Sequence, residues 1–320
     1  MYIKEIKEQD IGFYQRVASD SGTLFDSADL LSIYGDKVRI YAFCEDNGII
    51  IGGFHLYHGK KFGFSVLGNA PFSPSAGPFF KMKNTRRGAA NSTWKKLLSL
   101  MADFLDKLPC SVISLTLSKF VIDTQPFIWK KFKVVPHYTY ILDLKEPLQT
   151  LWDGFSGQHR NHITKAQKDG LEARQINAPE VIKGLVMKTF SRQSKKINTA
   201  YIDKLLSFLG SGNSYAFAAY KNETPISASL FIHDSSTDYL LLSGYDHDNK
   251  HHGAGALVVW EGIKKAKELG LMHFDFEGSM LPPVEKFFRD FGGELVPYYR
   301  INKAKLPLEM ALKFYKRELF

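Results

Sequence analysis

Four groups of residues in the last third of the chain have the types and spacing to hold a phosphate-sized anion and to move a proton. Lys250-His251-His252-Gly253-Ala254-Gly255 lies between an expected strand and an expected helix. Glycines there let a ligand approach the backbone, and free amides at a helix start attract a phosphate-sized anion. The same letters also suit an ordinary helix start with a glycine turn. Asp275 and Glu277 alternate with Phe274 and Phe276, so in a strand both carboxylates share one face. Such a face is costly unless it is paired or opens on a cleft. Glu277, nearer the strand end, is the better general base with a raised pKa. The plainer role is a hydrogen-bonded strand end, or a cap on the next helix. Arg289, after Phe287 and Phe288, can hold a phosphate or stabilise an oxyanion. Tyr245, at the end of its strand, can donate a proton or merely pack.

A further candidate is LWDGFSGQHRNHITKAQKDG, where Arg160 and Lys165 face either an anionic ligand or water. No local nucleophile signature occurs: neither a GxSxG elbow, nor a GxxxxGK[ST] loop, nor GxGxxG after the first strand. Direct attack of a substrate amine on a bound acyl donor therefore fits better than covalent catalysis. His251 and His252 are adjacent and point in different directions, with no third ligand at metal-binding spacing, so no metal is expected.

These residues must be placed by regular elements. The first half reads as a strand at Tyr2–Ile6, helices at Asp10–Ala18 and Ser27–Tyr34, and strands at Val38–Glu45, Ile49–His58 and Phe62–Leu67. The proline-rich loop NAPFSPSAGPFF follows, then a helix at Asn91–Lys107 and strands at Val112–Leu117 and Lys133–Leu144. The second half repeats the plan. Helices are expected at Leu148–Lys168, Ala178–Ser191 and Thr199–Leu209, and strands at Tyr215–Tyr220, Ile226–His233 and Asp238–Tyr245. A helix at Gly253–Leu269, a strand at His273–Glu277, a short helix at Val284–Phe291, a strand at Glu294–Ile301 and a basic amphipathic helix at Pro307–Leu319 complete it. Element order, without a residue-level repeat, points to a duplicated α/β unit. Leu144–Thr150 is the expected boundary, giving domains 1–146 and 147–320.

With 320 residues, 44% hydrophobic and 23% charged, the composition is that of a globular protein. No apolar run is long enough to cross a bilayer, and the acid-bearing N-terminus does not read as a signal peptide. Cys44 and Cys110 read as buried thiols, and the expected location is cytoplasmic. The net charge of +9 suits either a plain solvated surface or an anionic partner. Basic residues gather at Lys81, Lys83, Arg86 and Arg87; at His159, Arg160, His162, Lys165 and Lys168; and at Lys303, Lys305, Lys313, Lys316 and Arg317.

Taken together, LWDGFSGQHRNHITKAQKDGLEA, then HFDFEGS followed by VEKFFRDFGGELVPYY, resemble the FemAB-like branch of the GNAT acyltransferase superfamily. APFSPSAGPFF and DTQPFIWKKFKVVPHYTYILDL resemble loops of related proteins. The resemblance implies two tandem GNAT-like lobes (an α/β, or α+β, fold), each a mixed, mostly antiparallel sheet flanked by helices. It implies an N-acyltransferase moving an acyl or aminoacyl group, from acyl-CoA or aminoacyl-tRNA, to an amine of a cell-envelope precursor such as a peptidoglycan intermediate. Lys250, His252, Gly253, Gly255 and Phe288 then bind the donor, in a turn resembling [QR]xxGx[GA] with lysine at its first position. Arg160 and Lys165 bind a nucleotide- or phosphate-bearing substrate, and Glu277, Arg289 and Tyr245 are catalytic. The active site is expected in the C-terminal lobe. The competing expectation is a non-catalytic pair that binds a glycan or nucleotide-linked ligand. The C-terminal basic helix suggests peripheral membrane contact.

Overall fold

Strands that are apolar on both faces need a helix over each face, and the second half of the chain meets that need. A computed structural model describes residues 1–82, 86–192 and 198–320; Lys83 of the first basic group lies outside the described residues. The chain divides into two compact units, one formed by 1–137 with 297–320 and the other by 138–296.

Unit 1 contains β1 (Tyr2–Glu5), α1 (Ile11–Ser21), α2 (Ala28–Ser32), β2 (Val38–Cys44), β3 (Ile50–Lys61), β4 (Phe64–Gly68), β5 (Phe79–Phe80), α3 (Arg87–Lys107), β6 (Val112–Thr116) and α4 (Gln125–Trp129). The chain leaves it along β7 (Lys133–Asp143). Unit 2 contains α5 (Leu148–Gly154), α6 (Gly157–Lys168), β8 (Glu172–Ile176), α7 (Pro179–Arg192), α8 (Thr199–Leu206), β9 (Ser214–Lys221), β10 (Thr224–His233), β11 (Thr237–Tyr245), α9 (Ala254–Glu268), β12 (His273–Asp275) and α10 (Pro282–Arg289). β13 (Glu294–Ala304) and α11 (Leu306–Tyr315) end the chain.

The two units share a strand plan. In unit 1, β1, β2, β3 and β4 pair antiparallel in sequence order. β4 then meets β6 in parallel, Val66 opposite Val112. In unit 2, β8, β9, β10 and β11 do the same, and β11 meets β12 in parallel, Thr237 opposite His273. Each parallel pair is joined through one long helix, α3 or α9, because a parallel connection requires a crossover.

The last strand of each sheet comes from the other half of the chain. Residues Arg300–Ala304 of β13 pair antiparallel with β6, and Ile141–Asp143 of β7 pair antiparallel with β12. A simple boundary near residue 146 does not describe this arrangement, in which the last 24 residues of the chain belong with the first unit.

Close packing in unit 2 is written in glycines. A Cβ on Gly262 of α9 would sit 2.3 Å from the Phe231 ring of β10, and one on Gly244 of β11 would sit 2.3 Å from the Val186 amide of α7. The helices therefore seat directly on opposite faces of the sheet. Phe231, Tyr215, Phe274, Phe276 and Phe291 fill the core beneath α9.

Three of the differences from the sequence reading fall in the second half of the chain; β5 and α4, in the first half, were not expected either. The expected helix Leu148–Lys168 is two helices, because Phe155 is extended and buried, and Ser156 caps α6 by accepting the His159 N–H. β8 is a strand that the sequence reading missed; its residues are mostly polar and half or fully exposed, as suits an edge strand. The strand expected at His273–Glu277 stops at Asp275. Phe276 still donates to the Tyr140 carbonyl, but Glu277 turns away with φ 58°.

Candidate active site

The parallel strands β11 and β12 stay together for only three residue pairs, ending at Tyr239 opposite Asp275. β11 continues six residues further, to Tyr245, and among the described residues no strand pairs with it on that side. A gap therefore opens toward the C-terminal ends of the two strands. In open α/β sheets this is where ligands enter. α9 starts at the end of β11, and α10 follows the end of β12.

The α9-facing side of this gap is polar. Ser227 and Ser229 are buried on β10, whereas Ser243, in mid-strand on β11, is exposed. The hydroxyls of Ser229 and Ser243 lie 2.8 Å apart, and Ser227 donates to the Gly244 carbonyl at 3.2 Å. These hydroxyls give an otherwise apolar sheet face donors and acceptors that a polar ligand can use. The sequence reading missed them; the period-two recurrence of serine in SASLF was the available signal.

The start of α9 can hold an anion, and its amides are unequally free. His251 engages the first two: its Nδ1 accepts the Gly253 N–H at 3.1 Å and its carbonyl accepts the Ala254 N–H at 3.0 Å. Leu257 donates to the Gly253 carbonyl. The N–H groups of Gly255 and Ala256 meet no acceptor among the described residues, and they point from the positive end of the helix dipole. A Cβ on Gly255 would lie 3.9 Å from Ser227 Oγ and 3.7 Å from Phe287, so the serine row and α10 border this helix start.

The glycine at 253 answers to packing. Its Cβ would fall 2.0 Å from the His162 carbonyl of α6, so the close approach it permits is that of a neighbouring helix.

The loop before α9 is held by ionic and aromatic side chains. With Nδ1 accepting, His251 donates through Nε2 to Asp169 at 3.0 Å, which holds the Asp169 carboxyl below its ordinary range. Tyr245 donates its hydroxyl to the His251 carbonyl at 3.0 Å. Burial, above all, raises the Tyr245 phenol, so it stays protonated at neutral pH. Asp246 is buried, accepts from Lys188 at 2.7 Å and from the Asp248 N–H at 3.0 Å, and is held down to about 2 chiefly by the lysine. Asp246 and Lys188 were not singled out in the sequence, since no motif joins residues that far apart. Lys250 and His252 are exposed on this loop, and the His252 ring stacks with His162 at 6.1 Å.

On the opposite side of the gap, Asp275 is buried and accepts from the Thr139 hydroxyl at 2.7 Å and from the Glu277 N–H at 2.9 Å. It therefore fixes the turn that carries Glu277, which is half-buried. Arg289 is exposed at the end of α10 and lies 3.6 Å from Glu285, which in turn accepts from Tyr140 at 2.6 Å. Phe288 packs on Phe276, and Phe287 on His159 and Phe291. His159 is buried between those rings, and burial lowers it to about 4.

Arg160 and Lys165 both lie on α6. The Arg160 guanidinium donates to the carbonyls of Asp153 and Phe155 at 2.6 and 2.9 Å, closing the end of α5. Lys165 is exposed in the last turn of α6. The same turn region adjoins α10, since Ser156 donates to the Asp290 carbonyl at 2.8 Å. α6 thus touches both the α9 start, through His162 and Gly253, and the end of α10.

Comparison with known proteins agrees with this geometry. Residues 182–289, which span β11, the loop, α9, β12 and α10, match the acetyltransferase (GNAT) domain family. No curated protein sequence matches the chain. Among solved structures, FemX is similar with a TM-score of 0.65 and 14% identity, covering 99% of this chain and 100% of its own. L-PGS from Bacillus licheniformis has a TM-score of 0.55 and 12% identity, over 99% and 98%. A tandem GNAT protein from the clavulanic acid biosynthesis pathway has a TM-score of 0.55 and 8% identity, over 94% and 98%. At such identities the likeness is one of fold. Residues 182–289 thus match a GNAT acetyltransferase domain, and the chain as a whole is similar in fold to FemX and to a tandem GNAT protein.

Proposed function

We propose that the protein is an N-acyltransferase that moves an acyl or aminoacyl group from acyl-CoA or aminoacyl-tRNA to an amine of a cell-envelope precursor. The observation that carries this reading is the parting of β11 and β12 after Tyr239 and Asp275, with two unbonded amides of α9 at its mouth. An acyl donor laid in the gap puts its phosphates or 3′ end near Gly255 and Ala256. Its carbonyl then lies along the unpaired edge of β11. The attacking amine loses its proton toward Glu277. Tyr245, protonated and half-buried, supplies a proton to the leaving group. Arg289 and Lys250 border the site as cations for an anionic donor or acceptor. The family resemblance supplies the acceptor class.

Incubation of the purified chain with radiolabelled acetyl-CoA or charged tRNA, plus amino-sugar nucleotides, tests the reading. Label transfer to the amine is expected from one donor; failure to bind either donor sinks it. A second reading, ligand binding without transfer, draws on unit 1. A cleft there of about 810 Å³ is lined by Lys37, Arg39, Lys60, His58 and Tyr57, cations and an aromatic face suited to a nucleotide-linked ligand. If nucleotides bind tightly while Glu277→Gln leaves every cellular effect intact, this second reading replaces the first.

A further inference from the structure

Unit 1 carries an apolar helix face that no described residue covers. Leu306, Met310 and Phe314 of α11 recur every fourth residue and so form one stripe. They are 75%, 59% and 86% exposed, and neighbouring Tyr315 is 88% exposed. No residue of α11 is buried. A second apolar surface lies around α4, where Ile122 is 83% and Trp129 63% exposed.

Hydrogen bonds tie the two surfaces into one region. Lys303, before α11, donates to the Lys130 carbonyl at 2.7 Å. Lys133 donates to the carbonyls of Arg317 and Phe320, after α11, at 2.9 and 2.6 Å. Both ends of the C-terminal segment are thus fastened to the segment that leaves α4. Basic residues dominate each: Lys130, Lys131 and Lys133 in one, and Lys305, Lys313, Lys316 and Arg317 in the other. Some are partly neutralised, Lys130 by Asp103 at 2.5 Å and Lys313 by Glu309 at 3.0 Å.

We propose that this face docks on an anionic phospholipid surface. α11 lies in the interface plane with Leu306, Met310 and Phe314 among the acyl chains, and Trp129 sits at headgroup depth. The surrounding lysines and Arg317 meet the lipid phosphates. Charge decides between this occupant and a second copy of the chain. With a net charge of +9, two copies brought together through their basic faces repel each other, while an anionic bilayer attracts each. The proposal does not depend on the transferase reading, because every residue it uses lies in unit 1, away from the GNAT match.

Co-sedimentation with vesicles tests it, using phosphatidylcholine alone and phosphatidylcholine mixed with phosphatidylglycerol. The full chain is expected to pellet with the mixed vesicles, weakly or not at all with the neutral ones, and less as salt rises. Phe314→Ser combined with Met310→Ser is expected to weaken binding about tenfold or more. Lys313→Gln with Lys316→Gln and Arg317→Gln should weaken it on mixed vesicles only. These side chains are exposed, so circular dichroism of each variant should match the parent. Trp129 emission should shift to the blue with mixed vesicles, a change lost in Trp129→Phe. Equal pelleting of parent and variants overturns the proposal. So does a lipid-free dimer, seen by light scattering, that Phe314→Ser dissolves.

Discussion

The carboxylate of Asp275 accepts the main-chain N–H of Glu277 at 2.9 Å. This bond ends β12 and holds Glu277 in the left-handed region, φ 58°, with Gly278 following at φ 71°. A Cβ on Gly278 would fall 2.1 Å from the Tyr138 carbonyl. Positioning and chemistry are therefore separable here. Gly278→Ala is expected to cost about 3 kcal/mol of stability, with activity falling as the turn moves. Glu277→Gln should leave the melting temperature alone and lower kcat by about 10²-fold or more. Thermal melts and transfer kinetics on the two variants check this; equal melting losses in both would show that Glu277 is there for the fold.

Two glycines of one motif should behave in opposite ways. Gly253→Ala forces α9 away from the His162 carbonyl, only 2.0 Å from the added Cβ, whereas Gly255→Ala meets nothing nearer than 3.7 Å. The first is expected to destabilise by about 3 kcal/mol through displaced packing. The second should be neutral or stabilise by up to about 1 kcal/mol, since alanine favours the helix. Urea melts of both variants give the signs.

The difference between those glycines shows where sequence reasoning ends. Residue pattern gave β9, β10, β11 and α9 nearly to the residue, because their periodicity is strong and each is covered by helices on known faces. It pointed to the turn before α9 because phosphate-sized sites sit at helix starts. It could not tell that the neighbour of Gly253 is α6, since that contact joins residues far apart in sequence. It ran β12 through Glu277 because alternation cannot reveal a left-handed residue. Element order conveyed the duplicated plan. That Arg300–Ala304 close the first sheet and Ile141–Asp143 the second follows from pairing alone.

Two buried histidines should make the protein acid-sensitive. Burial lowers His159 from 6.5 to about 4 and His55 from 6.5 to about 3. Above pH 6.5 both are neutral in folded and unfolded chains, and neither contributes a slope. Below it the unfolded chain takes up protons that the native chain refuses, so stability falls with pH until each native group protonates. The expected loss is about 2 kcal/mol per histidine on going from pH 6.5 to about 5. His159→Phe, which keeps a ring between Phe287 and Phe291, should remove its share. An unchanged decline in that variant would place the acid sensitivity elsewhere.

Asp246 acts in the opposite direction. Lys188 holds it at about 2, against an ordinary 3.8, so its contribution is complete above pH 3.8 and fades as pH drops toward 2. Asp246→Asn keeps the shape but gives up the ion pair, and should cost about 1–3 kcal/mol near neutrality. The loop that carries His251 should loosen with it. Faster amide exchange at Asp248 in Asp246→Asn, with β9 unaffected, is the expected pattern; uniform exchange across unit 2 would mean global weakening instead.

Ser243 tests the gap itself. It is exposed in mid-strand because β12 has already ended, and its hydroxyl reaches Ser229 at 2.8 Å. Valine fits a strand well, so Ser243→Val should fold and melt like the parent while filling the space proposed for the donor. The expected result is KM for the donor raised about tenfold or more, with kcat changed less, because a steric block acts on binding before chemistry. Ser243→Ala, which empties space and removes one hydroxyl, should cost the donor only about 1 kcal/mol. If Ser243→Val transfers label with the parent's KM, the donor does not run between β11 and β12, and the proposed placement of its phosphates at Gly255 and Ala256 fails with it.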